Sequence, residues 1–311
     1  MVIQLRLFLL ILVFSTFQKS VNAQISLDSL ARNWGTGTYE EQKKALDYLI
    51  KEYAYTNADS ARYYLKKLSD VVKSEDKKGK IMVKMLGSNL LYDQANYDSA
   101  VVVNNEALQL ANSIQDTSYL SRIHLNFGSF YDALGIKDSA IHHYLRSISL
   151  FEALKDEVNV AYLKINLGLL FKSLEEYPKA EQYYLEALEE LTALKDDFGT
   201  TTVSTNLASM YHARGMHVKA VEFAQKGKEG YENLGYAAYA MYPLETLGEA
   251  NAALGNTEKA LAYFSEAIEI AQKNDYKEEL FTLRLGLAKV YAQKNNLQVS
   301  KIELDKALDL A

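Results

Sequence analysis

Residues 163–188 read LKINLGLLFKSLEEYPKAEQYYLEAL, and this stretch decides the fold. Leu163, Leu167, Leu170 and Leu174 recur at i, i+4, i+7 and i+11, the spacing of one apolar helix face. Pro178 then falls in a first-turn register, where the N–H it lacks would have no intrahelical partner. A second amphipathic run continues as AEQYYLEALEELTAL over 180–194. The stretch reads as two helices joined by a short turn. Gly168, Ala180 and Ala187 let the two approach closely, and the aromatic Phe171 fills the space beside them.

Working outward, the same pattern recurs every 40 residues. The position of Gly168 is taken in turn by Ser88, Gly128, Gly168, Ala208, Gly248 and Ala288. Twelve residues on come Ala100, Ala140, Ala180, Ala220, Ala260 and Ser300, and seven further Ala107, Ser147, Ala187, Gly227, Ala267 and Ala307. The intervening, mostly aromatic position holds Leu91, Tyr131, Phe171, Tyr211, Asn251 and Tyr291. First helices stop at residues that tolerate a left-handed backbone, Gly135, Gly215, Gly255 and Asn295. Second helices open on Asp98, Asp138 or Thr257. Pro243 places the start of its helix close to Tyr242, or a kink there.

Asn166-Leu167-Gly168, Phe171, Ala180, Tyr184 and Ala187-Leu188 resemble the tetratricopeptide repeat, in a 40-residue form rather than the commoner 34. HEAT and armadillo repeats share a period near 40, but the small–aromatic–small spacing favours the tetratricopeptide pattern. Tyr39–Tyr55 with Ala58–Tyr64 looks like a further N-terminal copy. The resemblance implies an all-α, right-handed α-solenoid of about seven hairpins over 39–311. The units are expected at about 39–76, 78–116, 118–156, 158–196, 198–236, 238–276 and 278–311, after a linker over 24–38.

In such a solenoid the first helices line a concave face. Their stripe opposite the core contains Arg122, Asn126 and Ser129, then Tyr162 and Asn166, then Thr202, Asn206 and Ser209, then Tyr242 and Glu249. These are the candidate peptide-binding residues. Asn126, Asn166 and Asn206 form a ladder, one per repeat, and a carboxamide pairs with both C=O and N–H of a peptide without reading its side chains. With helices stacked at ~10 Å and an extended peptide rising ~3.3 Å per residue, one asparagine meets roughly every third residue. The same asparagines would equally serve to bridge neighbouring repeats.

The N-terminus has a different character. Met1–Arg6, the apolar Leu7–Phe17 and the small-residue site Val21-Asn22-Ala23 read as an export signal over 1–23, against the alternative of an uncleaved anchor or core helix. The apolar run falls short of the ~20 residues that span a bilayer, so no membrane insertion of the mature chain is expected. The mature protein is expected to be periplasmic or secreted. The 311 residues contain no cysteine, which excludes disulfides, thiolate metal sites and a cysteine nucleophile. There are 34 basic and 40 acidic residues, and no basic block invites nucleic acid.

Catalytic motifs are absent from the sequence: no G-x-S-x-G, H-E-x-x-H or G-x-x-x-x-G-K-[ST] occurs. The histidines His124, His142, His143, His212 and His217 lack chelating spacing, so no metal and no cofactor is expected. An enzyme is not expected either. Two functions remain: an exported scaffold that holds an extended protein or peptide segment in the groove, or the periplasmic ligand-sensing input region of a signalling regulator. The second rests on the resemblance of Asn57–Ala61, Asp98–Ala100 and Asp138–Ala140 to periplasmic tetratricopeptide regions of bacterial sensor regulators, and it would place a kinase or DNA-binding output outside this chain.

Overall fold

The computed structural model describes residues 30–310 except Arg32 and Tyr55. The export signal expected at 1–23, and residues 24–29, lie outside them. Among the described residues there are fourteen α-helices, two short 3-10 turns and no strand. The helices are Tyr39–Ala54 (α1), Ala58–Val71 (α2), Lys77–Asp93 (α3), Tyr97–Ile114 (α4), Thr117–Ala133 (α5), Lys137–Ala153 (α6) and Glu157–Ser173 (α7). They continue as Tyr177–Ala193 (α8), Asp197–Ala213 (α9), His217–Asn233 (α10), Met241–Ala253 (α11), Thr257–Lys273 (α12), Lys277–Gln293 (α13) and Leu297–Leu308 (α14).

The turns are built alike, and they halve the period. A left-handed residue recurs every 20 positions: Ala95, Gln115, Gly135, Lys155, Glu175, Lys195, Gly215, Gly235, Gly255, Asp275 and Asn295, with φ between 50° and 78°. The amide after each reaches back five residues, as Ile136 N–H donates to the Tyr131 carbonyl at 2.8 Å and Glu176 N–H to that of Phe171 at 2.9 Å. These are Schellman closures, which satisfy the last carbonyls of a helix. Several of the following helices are capped by an Asn or Asp side chain, among them Asn57, Asp76, Asn96, Asp116, Asp196 and Asn296. Pro243 has a local consequence: Ala237–Ala240 winds as a 3-10 turn and the α-helix begins at Met241. An α-turn there would need the N–H that Pro243 lacks.

The chain divides into two compact bodies, one ending at Leu163 and the other beginning at Lys164, inside α7. In the first, α1–α2, α3–α4 and α5–α6 pack as hairpins, α2 against α3 and α4 against α5, and α1, α3 and α5 touch in sequence. Its first core cluster holds Leu46, Leu49, Ile50, Leu68 and Leu90, with Leu30, Ala31 and Trp34 packed on it. Part of the segment read as linker therefore covers apolar surface. In the second body α9–α10, α11–α12 and α13–α14 are hairpins, and α9, α11 and α13 are neighbours.

The small residues sit where helices meet. Ala100, Ala140, Ala180, Ala220 and Ala260 are fully buried. A Cβ on Gly168 would lie 2.5 Å from the Tyr184 ring, and one on Gly248 2.7 Å from Phe264; Gly128 lies against Tyr144 in the same way. Where the first helix carries Ala208, the second carries Ala224 in place of a ring, and both are fully buried.

Candidate ligand-binding site

In the first body, Arg122 is exposed on α5 and Asn126 is buried, its Nδ2 without a hydrogen-bond partner. Ser129 is buried too; its hydroxyl donates to the Leu125 carbonyl at 3.4 Å and accepts from the Tyr144 hydroxyl at 3.3 Å. Tyr162 is almost wholly buried.

In the second body, Asn166 on α7 is only 3% exposed, and neither atom of its carboxamide has a partner. A buried amide left unpaired costs about 1–3 kcal/mol, so each such group in a native protein calls for an explanation. Asn206 is half-buried one repeat later. Thr202 is turned inward: its hydroxyl donates to the Phe198 carbonyl at 2.9 Å and lies 3.2 Å from the Tyr231 hydroxyl. Ser209 accepts a hydrogen bond from Lys172 Nζ at 2.7 Å. Tyr242 donates to Glu279 at 3.3 Å, and Glu249 is exposed 3.6 Å from Nε2 of His212.

The structure adds groups to this face that the stripe did not contain: Lys172, His212, Glu245, Glu279 and Thr282. Lys172, His212 and Glu245 lie beside the predicted stripe, and one signal for them was legible. Glu245 occupies a register that holds Leu125, Ile165, Thr205 and Leu285 in other repeats, so a carboxylate stands where the pattern is mainly apolar. The neighbouring Thr282 turns its hydroxyl to the Glu279 carbonyl at 2.9 Å.

Burial shapes the charge of this face. It pushes the Lys172 ammonium down to about 8, partly opposed by Glu249 and Glu245. Burial, with the neighbouring Glu249 carboxylate, pushes Glu245 up to about 7. Burial also holds His212 below the usual imidazole range, against the pull of Glu249. Tyr242 is raised by burial and by Glu279. The result is a set of groups drawn from α7, α9, α11 and α13 that is only partly neutralised internally.

A second polar cluster lies in the first body. Nδ1 of His124 on α5 and Nδ1 of His143 on α6 are 2.8 Å apart, and Tyr131 stacks on His143 at 5.4 Å between ring centroids. The nineteen-residue separation joins two helices of a hairpin. Among the described residues no group of three or more His, Cys, Asp or Glu is arranged to hold a metal ion. No described helix is long and apolar enough to cross a membrane.

Tandem hairpins with small residues at their contacts and a polar first-helix face define a helical repeat scaffold. Residues 157–233 and 238–311 match the tetratricopeptide repeat family model. Over these segments the chain carries tetratricopeptide repeats, in 40-residue units. No curated protein matches the sequence. Among solved structures, aspartyl phosphate phosphatase F from Bacillus subtilis is similar with a TM-score of 0.67 and 18% identity, over 97% of this chain and 80% of that one. NprR in complex with its cognate peptide NprX is similar with a TM-score of 0.64 and 15% identity, over 100% and 90%. A STAND signal-transduction ATPase with a tetratricopeptide repeat sensor, from Pyrococcus horikoshii, gives a TM-score of 0.67 and 20% identity, over 90% of this chain but 42% of that one. At these identities the likeness is one of fold.

Proposed function

We propose that this protein is an exported interaction scaffold whose first-helix face holds an extended peptide or protein segment. The observation that carries the reading is Asn166, a buried carboxamide with both polar atoms unpaired. A ligand backbone supplies one C=O and one N–H, the two partners that a carboxamide lacks. Asn206 and Tyr242 extend the same face of the second body, and Asn126 repeats the motif in the first. The solved complex of NprR with its peptide supports a peptide as ligand. The reading is one of binding rather than catalysis, and an acidic chain disfavours nucleic acid as partner.

Export rests on the signal pattern over 1–23; it predicts a mature N-terminus at Gln24, read by mass spectrometry of secreted or periplasmic protein. A sensor-input role is the second reading, favoured by the sensor similarity above. It adds an output that responds to the same ligand.

The test is recovery of bound peptides by residues 24–311 and by the triple variant Asn126→Ala, Asn166→Ala, Asn206→Ala, after circular dichroism has shown equal helicity. Peptides held by the parent and lost by the variant support the reading. Equal recovery returns the asparagines to a bridging role between repeats, and an empty parent removes peptide binding altogether.

A further inference from the structure

In the second body each second helix lies against the first helix of the next hairpin: α8 packs on α9, α10 on α11 and α12 on α13. On α12 the stripe that runs along this side is Thr257, Leu261, Phe264 and Ile268, spaced 4, 3 and 4 as one helix face requires. Phe264 is only 1% exposed, and a Cβ on Gly286 of α13 would lie 2.4 Å from its ring. Asn104, Tyr144, Tyr184 and Ala224 hold the same register on earlier second helices, and all are buried. On α14 the stripe reads Leu297, Lys301, Leu304 and Leu308. Among the described residues no helix follows to cover it. Leu297 is 65% exposed, Leu304 40% and Leu308 67%. Three leucines stand open in the register where the repeat elsewhere seats a helix.

We infer that the open face of α14 is a homodimer interface, covered by α14 of a second copy lying antiparallel to it. The inference is independent of the peptide-binding reading. The repeat says that a helix belongs on this stripe, and the side chains of α14 say which one. An antiparallel pair sets Leu297 of each copy against Leu308 of the other, and Leu304 against the aliphatic stem of Lys301. The Lys301 ammonium then comes beside Asp305 of the second copy, and two-fold symmetry makes that pairing twice. The face is therefore complementary to itself in both shape and charge. A head-to-tail stack would need a matching open face on α1. There, Leu30, Ala31 and Trp34 already pack on the cluster to which Leu46, Leu49 and Ile50 belong. The contact closes at two copies instead of growing into a filament.

The test is the mass of the mature chain in solution, by sedimentation equilibrium over a range of concentrations. A contact made by one helix from each copy is small, so the expected dimer dissociates on dilution. Leu304→Glu/Leu308→Glu should weaken association about 100-fold or more, because both carboxylates would be buried against apolar side chains. Both positions are exposed in the single copy, so the variant should keep the parent's helicity. Val218→Glu replaces an exposed apolar residue on α10 and should leave the dimer intact. A second readout locates the contact. The chain has no cysteine, so Leu304→Cys with a short bismaleimide should link two copies through α14 alone. A parent that is monomeric at every concentration overturns the inference and leaves the stripe to a helix of another kind. A dimer that survives Leu304→Glu/Leu308→Glu, or that Leu304→Cys does not link, overturns it as well.

Discussion

The α5–α6 and α9–α10 hairpins have the same length, register and turn, yet they fill the space between their helices in opposite ways. In α5–α6 the first helix is hollowed at Gly128 and the second supplies the bulk, Tyr144. In α9–α10 the second helix is hollowed, at Gly227 and Gly230, and the first supplies the bulk as Thr205 and Thr201. At the register of the Gly128–Tyr144 pair, α9–α10 has two alanines, Ala208 and Ala224, fully buried. Both hairpins fill the space between their helices, but with the bulk at different registers and on different helices. Which helix carries it is free, because close packing responds to the filled space and not to its owner.

That comparison can be broken most severely at the ring. Tyr144→Ala should destabilise by about 3–5 kcal/mol, since it empties a buried aromatic site, and Gly128→Ala by about 1–3 kcal/mol through overpacking. The double variant Gly128→Ala/Tyr144→Ala recreates the Ala208–Ala224 pairing and should cost less than the sum of the two. Chemical denaturation of all three measures the coupling; strict additivity would show that the two positions do not share one volume.

The opposite hairpin gives the mirror test. Gly230→Ala should cost about 1–3 kcal/mol, because its new methyl would run into the Thr201 side chain. Adding Thr201→Ala should return most of that loss. A melting temperature that stays depressed in the double variant would place the strain elsewhere.

Acid should then weaken the α5–α6 hairpin. Burial depresses His124 and His143 to about 4, with Arg146 and His124 respectively as the next contributors. Unfolded histidine ionises near ~6.5, so the unfolded chain binds protons first as pH falls. The contribution of this pair is full above about pH 6.5 and is lost as pH drops toward 4. Partial exposure of both rings limits it to about 1–2 kcal/mol. His124→Phe/His143→Phe should flatten the pH dependence of hydrogen-exchange protection in α5 and α6 over that window, with α3–α4, which contains no histidine, as the internal reference.

The smallest effect is expected at the turns. Lys155, after α6, holds φ 56°, while Gly215, after α9, holds φ 73° with a residue suited to it. Lys155→Gly should stabilise by up to about 1 kcal/mol, because a side chain at positive φ is strained. Unchanged or lower stability would mean that the Schellman hydrogen bonds already offset the strain.

The fold was largely legible in the residues. The 40-residue return of Gly128, Gly168 and Gly248, and of Ala100, Ala140, Ala180, Ala220 and Ala260, names the helix contacts because only small residues let helices approach there. The 20-residue return of the left-handed turn was only partly visible, since Ala95, Lys155 and Glu175 carry none of the turn chemistry that Gly135 advertises. Their conformation is imposed by the helices on either side. The face was legible as a stripe but not in its details. Helical spacing put Thr202 among the groove residues, and only the packed hairpin turns its hydroxyl to Tyr231. Helical spacing also kept Lys172, Glu245 and His212 apart, although three adjacent first helices bring them into one electrostatic neighbourhood.

By itself, then, the sequence determined the all-α repeat, its period and the helix faces, because these follow from local spacing and from the size of residues at fixed intervals. The tertiary structure alone decided which polar groups on that face remain unpaired and which charges face one another. Those properties depend on distances between side chains some 33 to 40 residues apart, such as Lys172 to Ser209 and Tyr242 to Glu279, and on how far each is withdrawn from water. No pattern along the chain encodes either quantity.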